Sequence, residues 1–328
     1  MAEPAGLIGK SKDLTLVGDI GGTNCRLALA ERTESGKIRL HRSERFAVAD
    51  FEHFNDVVAD YLEANEIQVK QASFAFAGPK FDDEIRMTNI NWIVSEDDLK
   101  ATFGFDTVLV LNDFVAMAKG ATVVPEAGFD ILIPGQINYK KPVAVLGPGT
   151  GLGVSCIIPG SPPHILSTEG GHTAFAPRTE MERAILEYWS PRLSFVSAEA
   201  LLSGAGLVRI HEAICAITNR NENLSSGAEI VAAADLDADT NAFQTVQQFC
   251  SILGGFAGNT ALTQGASGGV IIGGGVARHI AKFIPNSNFD STFRDRGPGS
   301  WYIKNTPVRL IKAQFVPLYG AAAALLDS

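Results

Sequence analysis

Only four cysteines occur in 328 residues, and Cys25, Cys156, Cys215 and Cys250 are widely scattered. There is no CxxC pair and no His–Cys cluster, which argues against a structural zinc and against a disulfide framework; free, mostly buried thiols are expected. Basic charge is also in short supply: 27 Lys and Arg stand against 36 Asp and Glu, a formal net charge of −9. A nucleic-acid surface needs clustered cations, so no nucleic-acid partner is expected, although local backbone dipoles could still hold a small phosphorylated ligand. Long apolar runs are missing too, and none approaches the roughly 18 residues of a membrane span. The first dozen residues, MAEPAGLIGKSK, lack the apolar stretch of a signal peptide and read as a frayed tail. A cytoplasmic protein without a membrane partner is therefore the expectation. The Walker loop G-x-x-x-x-G-K-[ST] does not occur, and GPGTGLG is followed by an alternating strand pattern rather than the helix a dinucleotide fingerprint requires.

What is present is a substantial apolar fraction, 46% of the chain, and a length that suits two lobes at roughly 100–200 residues each. Strand-like runs recur as LTLVG, SFAFAG, TVLVLND, PVAVLG and GVIIGGG, several ending in Gly or Asp as central strands do where they deliver backbone to a site. Helix-like segments lie between them, over 55–65, 181–189, 198–217 and 243–262, the last with Gly254 and Gly255 where close packing is expected. The mixture predicts an α/β architecture. LTLVGDIGGTNCRLALA and PVAVLGPGTGLGVSCII both read as strand, glycine–threonine turn and alternating strand, two candidate hairpins whose glycines are expected to supply positive φ. Their positions suggest a duplicated lobe facing its partner across a cleft. The last segment, FVPLYGAAAALLDS, predicts an alanine-built helix starting at Gly320 that returns to the first lobe. SSGAEIVAAADLDADTNAF reads as surface loop and helix in the second lobe.

In GDIGGTN and GPGTG, exposed backbone N–H groups can hold anionic oxygens, with the Thr23 and Thr150 hydroxyls beside them. Asp19 repels phosphate but can hold a hydrated Mg²⁺ that bridges to it; a tight hairpin with a turn aspartate is the plainer alternative. The patch ending at Gly273, Gly274 and Gly275 would let a ring or ribose approach the backbone, or would simply turn a strand into a helix. Asn112 and Asp113 end an apolar strand, where Asp113 is either a general base or the N-cap of the next helix. Glu169 and His172 flank two glycines, a donor–acceptor set suited to a polyhydroxyl ligand, with too few neighbours for zinc. Glu199 joins them or serves as a first-turn acid.

LVGDIGGTN, FAFAGP, MTNINW, VLNDF, LGPGTGLGV, TEGGHTAFAP, VSAEALLSGAGL and GGVIIGGGVA occur in that order. On these segments, which span nearly the whole chain, the sequence resembles the bacterial glucokinases of the hexokinase/actin-like ATPase superfamily. The resemblance implies a two-lobed actin-like ATPase (ribonuclease H-like) fold with a cleft, a small domain over 1–122 plus 314–328, and a large one over 123–313. It implies ATP-dependent phosphorylation of the C6 hydroxyl of glucose to glucose 6-phosphate, feeding glycolysis. Asp113 looks like the base, and Asn112, Asp113, Glu169, His172 and Glu199 like the sugar set. Gly18, Asp19, Ile20, Gly21, Gly22 and Thr23 resemble the first phosphate loop with its Mg²⁺ contact, which the resemblance implies is made by Asp19 through water. Gly149, Thr150 and Gly151 resemble the second phosphate loop, and Gly273 to Gly275 the adenosine motif. TNINW is similar to a loop near the sugar. A homodimer is the family expectation. The related repressor/kinase group carries a cysteine-rich zinc segment after its histidine, whereas GGHTAFAPRTEMER has no cysteine, so no structural zinc is expected. Transcriptional relatives place a helix-turn-helix domain ahead of the phosphate loop; 13 residues before Leu14 are too few for one. An actin-like structural ATPase would have no reason to keep the sugar set.

Overall fold

The computed structural model describes residues 14–78, 80–81, 83–87 and 90–326. The N-terminal tail, Pro79 of FAFAGP, and Thr88 and Asn89 of TNINW lie outside the described residues. The chain divides into two compact units, one of residues up to Pro125 and from Ala313 onward, the other Glu126–Lys312.

The first unit is built on a hairpin of β1 (Thr15–Ile20) and β2 (Asn24–Arg32), extended by β3 (Ile38–Ala47), helix α1 (Phe54–Ala64) and strand β4 (Gln71–Phe76). A small antiparallel sheet follows, of β5 (Lys80–Phe81), β6 (Glu84–Arg86) and β7 (Ile93–Ser95), then α2 (Glu96–Phe103), β8 (Thr107–Asn112) and α3 (Asp113–Ala121). The main sheet runs β3-β2-β1-β4-β8, with β1, β4 and β8 parallel. Side chains alternate across it: Leu16 and Ile20 of β1 join a core with Phe54, Phe74 and Phe76, while Val17 joins Ala28 and Ala30 on the other face. That second face is covered by the last helix of the chain (Val316–Leu326), through Leu318, Ala321 and Ala322. The helix begins at Val316 rather than at Gly320, because Gly320 sits inside it, against Ala116 of α3.

The second unit repeats the plan. Its strands are β9 (Phe129–Ile133), β10 (Val143–Pro148), β11 (Leu152–Ile158), β12 (His164–Thr168), β13 (Gly269–Ile272) and β14 (Val308–Ile311). They are ordered β12-β11-β10-β13-β14-β9. As in the first unit, three antiparallel strands are followed by two parallel ones. The helices are α4 (Glu180–Trp189), α5 (Ala198–Leu201), α6 (Gly204–Thr218), α7 (Gly227–Leu236), α8 (Asn241–Thr263), α9 (Gly275–Ile280), α10 (Phe289–Arg294) and α11 (Ser300–Ile303), and the helix at Val316–Leu326 is α12. The single helix expected over 198–217 is two, since Ser203 caps α6 by accepting from the Gly206 N–H. In α8, close approach to α10 falls at Gly254 and Gly258, whose added Cβ atoms would meet the Phe289 and Phe293 carbonyls; Gly255 has only the end of Arg296 nearby.

Cys25, Cys156 and Cys250 are buried, and burial raises each thiol, Cys250 to about 12. Cys215 differs. Its Sγ lies 3.6 Å from His211 Nε2 one turn earlier on α6, a His–Cys pair that reading for metal-ligand spacing passes over.

Candidate active site

In the first unit the three parallel strands end side by side, Ile20 opposite Phe76 and Phe76 opposite Asn112. The carboxyl ends of parallel strands are where α/β sheets present their ligand sites. Three elements meet there: the turn after β1, the segment after β4, and the β8–α3 junction. The β1–β2 turn is closed by Gly21 N–H donating to Asn24 O at 2.9 Å. Neither this turn nor the β10–β11 turn uses positive φ, contrary to expectation; of the three glycine patches it is the one after β13 that does so, at Gly274, φ +89°. Gly18 is glycine because a Cβ there would press on Phe74, Ile20 and Leu27. Thr23 is exposed and Asp19 half-buried. Desolvation pushes the Asp19 carboxyl up from 3.8 to about 6, with the cross-strand Arg26 guanidinium pulling the other way.

At the β8–α3 junction the capping role falls to Asn112. Its Oδ1 accepts from the Phe114 and Val115 N–H groups at 2.9 and 3.3 Å, and its Nδ2 donates to Gly78 O at 3.0 Å. Asp113 is the first residue of α3, and its Oδ1 accepts from the Phe114 N–H at 2.9 Å. The alternative in which Asp113 is the N-cap therefore falls away, and much of the Asn112 amide is committed to local structure.

In the second unit, Glu169, His172 and Glu199 come together. His172 Nε2 is 3.7 Å from Glu169 Oε2, and Nδ1 is 3.8 Å from Glu199 Oε1. Glu169 and His172 are 70% and 61% exposed and Glu199 32%, so polar atoms of all three face solvent. The first-turn cap of α5 is Ser197, accepting from Ala200 N–H, which leaves Glu199 to reach sideways: its Oε2 accepts from Leu152 N–H at 2.8 Å. That bond ties this cluster to the residue after the turn at Gly149, Thr150 and Gly151. The turn is held again by Gly204 N–H donating to Gly149 O at 2.9 Å. Gly204 escaped the sequence reading, whose only hint was its place within VSAEALLSGAGL. The third glycine patch lies next to this turn, since β13 runs parallel to β10 and Gly273 N–H donates to Leu146 O at 2.8 Å. A Cβ on Gly147 would strike Gly273, so the two backbones touch there. By contrast Gly149 and Gly275 have nothing within 4 Å of a Cβ position and ordinary φ, so the fold itself does not demand glycine at either. A cavity of about 380 Å³ in this unit borders Gly170 but takes in none of Glu169, His172 and Glu199. Among the described residues no group of three or more His, Cys, Asp and Glu could hold a metal ion by itself, and no helix is long and apolar enough to cross a membrane.

Two α/β units that share a five-strand order built on a hairpin with a glycine turn, the second adding β9 at its edge, define the class: a two-lobed ATPase of the actin-like fold, here a kinase. The family follows from the matches. The Glucokinase family model matches residues 16–328. The chain is 37% identical to a glucokinase of Nitrobacter hamburgensis over 98% of its own length and 100% of the relative's. It is 39% identical to one of Chromobacterium violaceum over 95% and 89%. The crystal structure of a glucokinase from an Antarctic psychrotroph superposes with a TM-score of 0.87 at 32% identity, covering 96% of this chain and 99% of that one. The chain belongs to the glucokinase family and is an enzyme of that class.

Proposed function

We propose that the chain transfers the γ-phosphoryl group of ATP to the C6 hydroxyl of D-glucose, giving glucose 6-phosphate and ADP for glycolysis. Phosphoryl transfer asks a protein mainly for positioning and charge neutralisation. In this reading the Asp113 carboxylate takes the C6 hydroxyl proton as the oxygen bonds to the γ-phosphorus and the bond to the β,γ-bridging oxygen breaks. Glu169, His172 and Glu199 hold the sugar's other hydroxyls, and Asn112 gives what remains of its amide. The turns at Gly18 to Thr23 and Gly149 to Gly151 hold phosphate oxygens through backbone N–H groups and the Thr23 and Thr150 hydroxyls. Gly273 to Gly275 admit the adenosine.

The observation that carries this reading is the division of labour at β8–α3: Asn112 caps the helix, so Asp113 is not required for that task. Open space at Gly149 and Gly275 supports close ligand approach. Asp19 fits a hydrated Mg²⁺, because a desolvated carboxylate held near 6 gains most from a cation beside it. When bound, that ion supplies neutralisation of the phosphate charge. The reading extends to domains over 1–122 plus 314–328 and 123–313, and to a cytoplasmic homodimer.

The test is a coupled assay with ATP, Mg²⁺ and a panel of hexoses. Glucose-dependent ADP release is expected, and Asp113→Asn should keep glucose affinity while losing turnover by about 10²–10⁴-fold or more. Near-wild-type turnover in that variant would sink the assignment of the base.

A further inference from the structure

β8 is the open edge of the first unit's main sheet. Parallel pairing with β4 engages only one side of it, and the groups on the other side need partners from elsewhere. At Val110, fully buried and two residues before Asn112, an ion pair supplies them. Val110 N–H donates to Glu96 Oε1 at 2.9 Å, Val110 O accepts from Lys80 Nζ at 2.9 Å, and Lys80 Nζ donates to the same Glu96 Oε1 at 2.8 Å. The three bonds close a ring around one peptide position. The side chains of Lys80 and Glu96 are only 33% and 16% exposed, so the charges are partly shielded from water.

The ring sits at a particular place in the chain. Lys80 lies in β5, where the chain leaves β4, and Glu96 is the first residue of α2, where it returns. The helix N-terminus favours the carboxylate there. Two residues before Lys80, the Gly78 carbonyl accepts from Asn112 Nδ2, the amide whose oxygen caps α3. The departing segment is thus fixed to the end of β8 at two points, Gly78 to Asn112 and Lys80 to Val110.

We propose that Lys80 and Glu96 are positioning residues for sugar phosphorylation: their ion pair sets the segment after β4 against the end of β8 and so fixes the amide of Asn112 and the start of α3 at Asp113. The inference rests on the reading of Asn112 and Asp113 as the sugar end of this unit. Loss of the pair lets Gly78 and the Asn112 amide shift together. Misplacement of about 1 Å at a reacting group lowers rate by up to about 10²-fold.

The experiment is steady-state kinetics with both substrates varied on Lys80→Met, Lys80→Arg, Glu96→Gln and the Lys80→Met/Glu96→Gln double variant, with Asp113→Asn in parallel and thermal melts of each. Lys80→Met should lower kcat/KM for glucose about tenfold or more while the KM for ATP stays within about twofold. Lys80→Arg should recover most of the loss, because its guanidinium can serve both Glu96 and Val110 O. The double variant should be no worse than the poorer single one, as for residues acting as one unit. Wild-type kcat/KM for glucose in Lys80→Met, whatever its melting temperature, overturns the proposal. So does a parallel rise in the KM for ATP. Should Lys80→Met not fold, Glu96→Gln decides by the same criterion, since it keeps an acceptor for Val110 N–H but drops the charge. Turnover retained by Asp113→Asn sinks the catalytic reading alone; normal sugar kinetics in the pair variants beside an inactive Asp113→Asn sinks the positioning role alone.

Discussion

Asp19 shows what burial does to a single ionisable residue. A carboxylate at the end of a buried strand loses hydration, and its pKa rises to about 6 although Arg26 stands across the hairpin. The sign of the effect on folding follows. A folded-state value above the ordinary 3.8 means that the native chain binds a proton the unfolded chain has already released. The associated stability is present below about pH 4 and is lost as pH rises through about 6. Asp19→Asn removes that loss. With chelator present, the variant should melt a few degrees above wild type at pH 8, and the gap should close toward pH 4. Mg-ADP should then raise the wild-type melting temperature more than the variant's. Equal melting temperatures at both pH values would show that Asp19 is well solvated.

Among the elements, the contact of α3 with α12 is the most sharply constrained. Gly120 and Gly320 face each other's helices so closely that a Cβ on Gly320 would fall on the Ala116 carbonyl, and one on Gly120 on the Val316 carbonyl. The alanines of α12 complete a thin layer on Ala28 and Ala30 of the sheet. No side chain there is flexible enough to yield. Gly320→Ala should therefore cost about 2–3 kcal/mol, outweighing the roughly 0.4–1 kcal/mol it would gain in an unconstrained helix. Urea titration followed by far-UV circular dichroism measures it. A neutral or stabilising result would mean that the two helices are free to separate.

For the whole molecule, each unit has a core of its own among the described residues. The second unit's buried cluster draws on residues from Ile133 to Leu310, and the described clusters of the first unit draw on residues outside 126–312. A unit with its own core is expected to fold alone. Residues 126–312 expressed by themselves should be monitored by circular dichroism and calorimetry, and a single cooperative transition is the expected result. A fragment that stays unfolded would show that the insertion depends on its host unit.

The sequence by itself determined the strands LTLVG, SFAFAG, TVLVLND, PVAVLG and GVIIGGG, because apolar runs of that length stopped by Gly or Asp have few other ways to satisfy both burial and backbone hydrogen bonding. It also determined that Asp19, Asp113 and the glycine patches stand at strand ends, since each follows its run directly, and the ordered motifs carried the family. Tertiary structure alone decided the rest. That the Asn112 amide, besides capping α3, donates to Gly78 is set by where the chain arrives from β4. The Lys80–Glu96 ring joins residues 16 apart to Val110 across an open sheet edge, and nothing in their local sequence records that. The start of α12 at Val316 lies against Gly120 of α3, a partner distant in the chain, whereas the break at Ser203 is a local cap, its hydroxyl accepting from the Gly206 N–H three residues on. Local pattern encodes which face a residue is buried on; which group it meets there is fixed only when the sheets assemble.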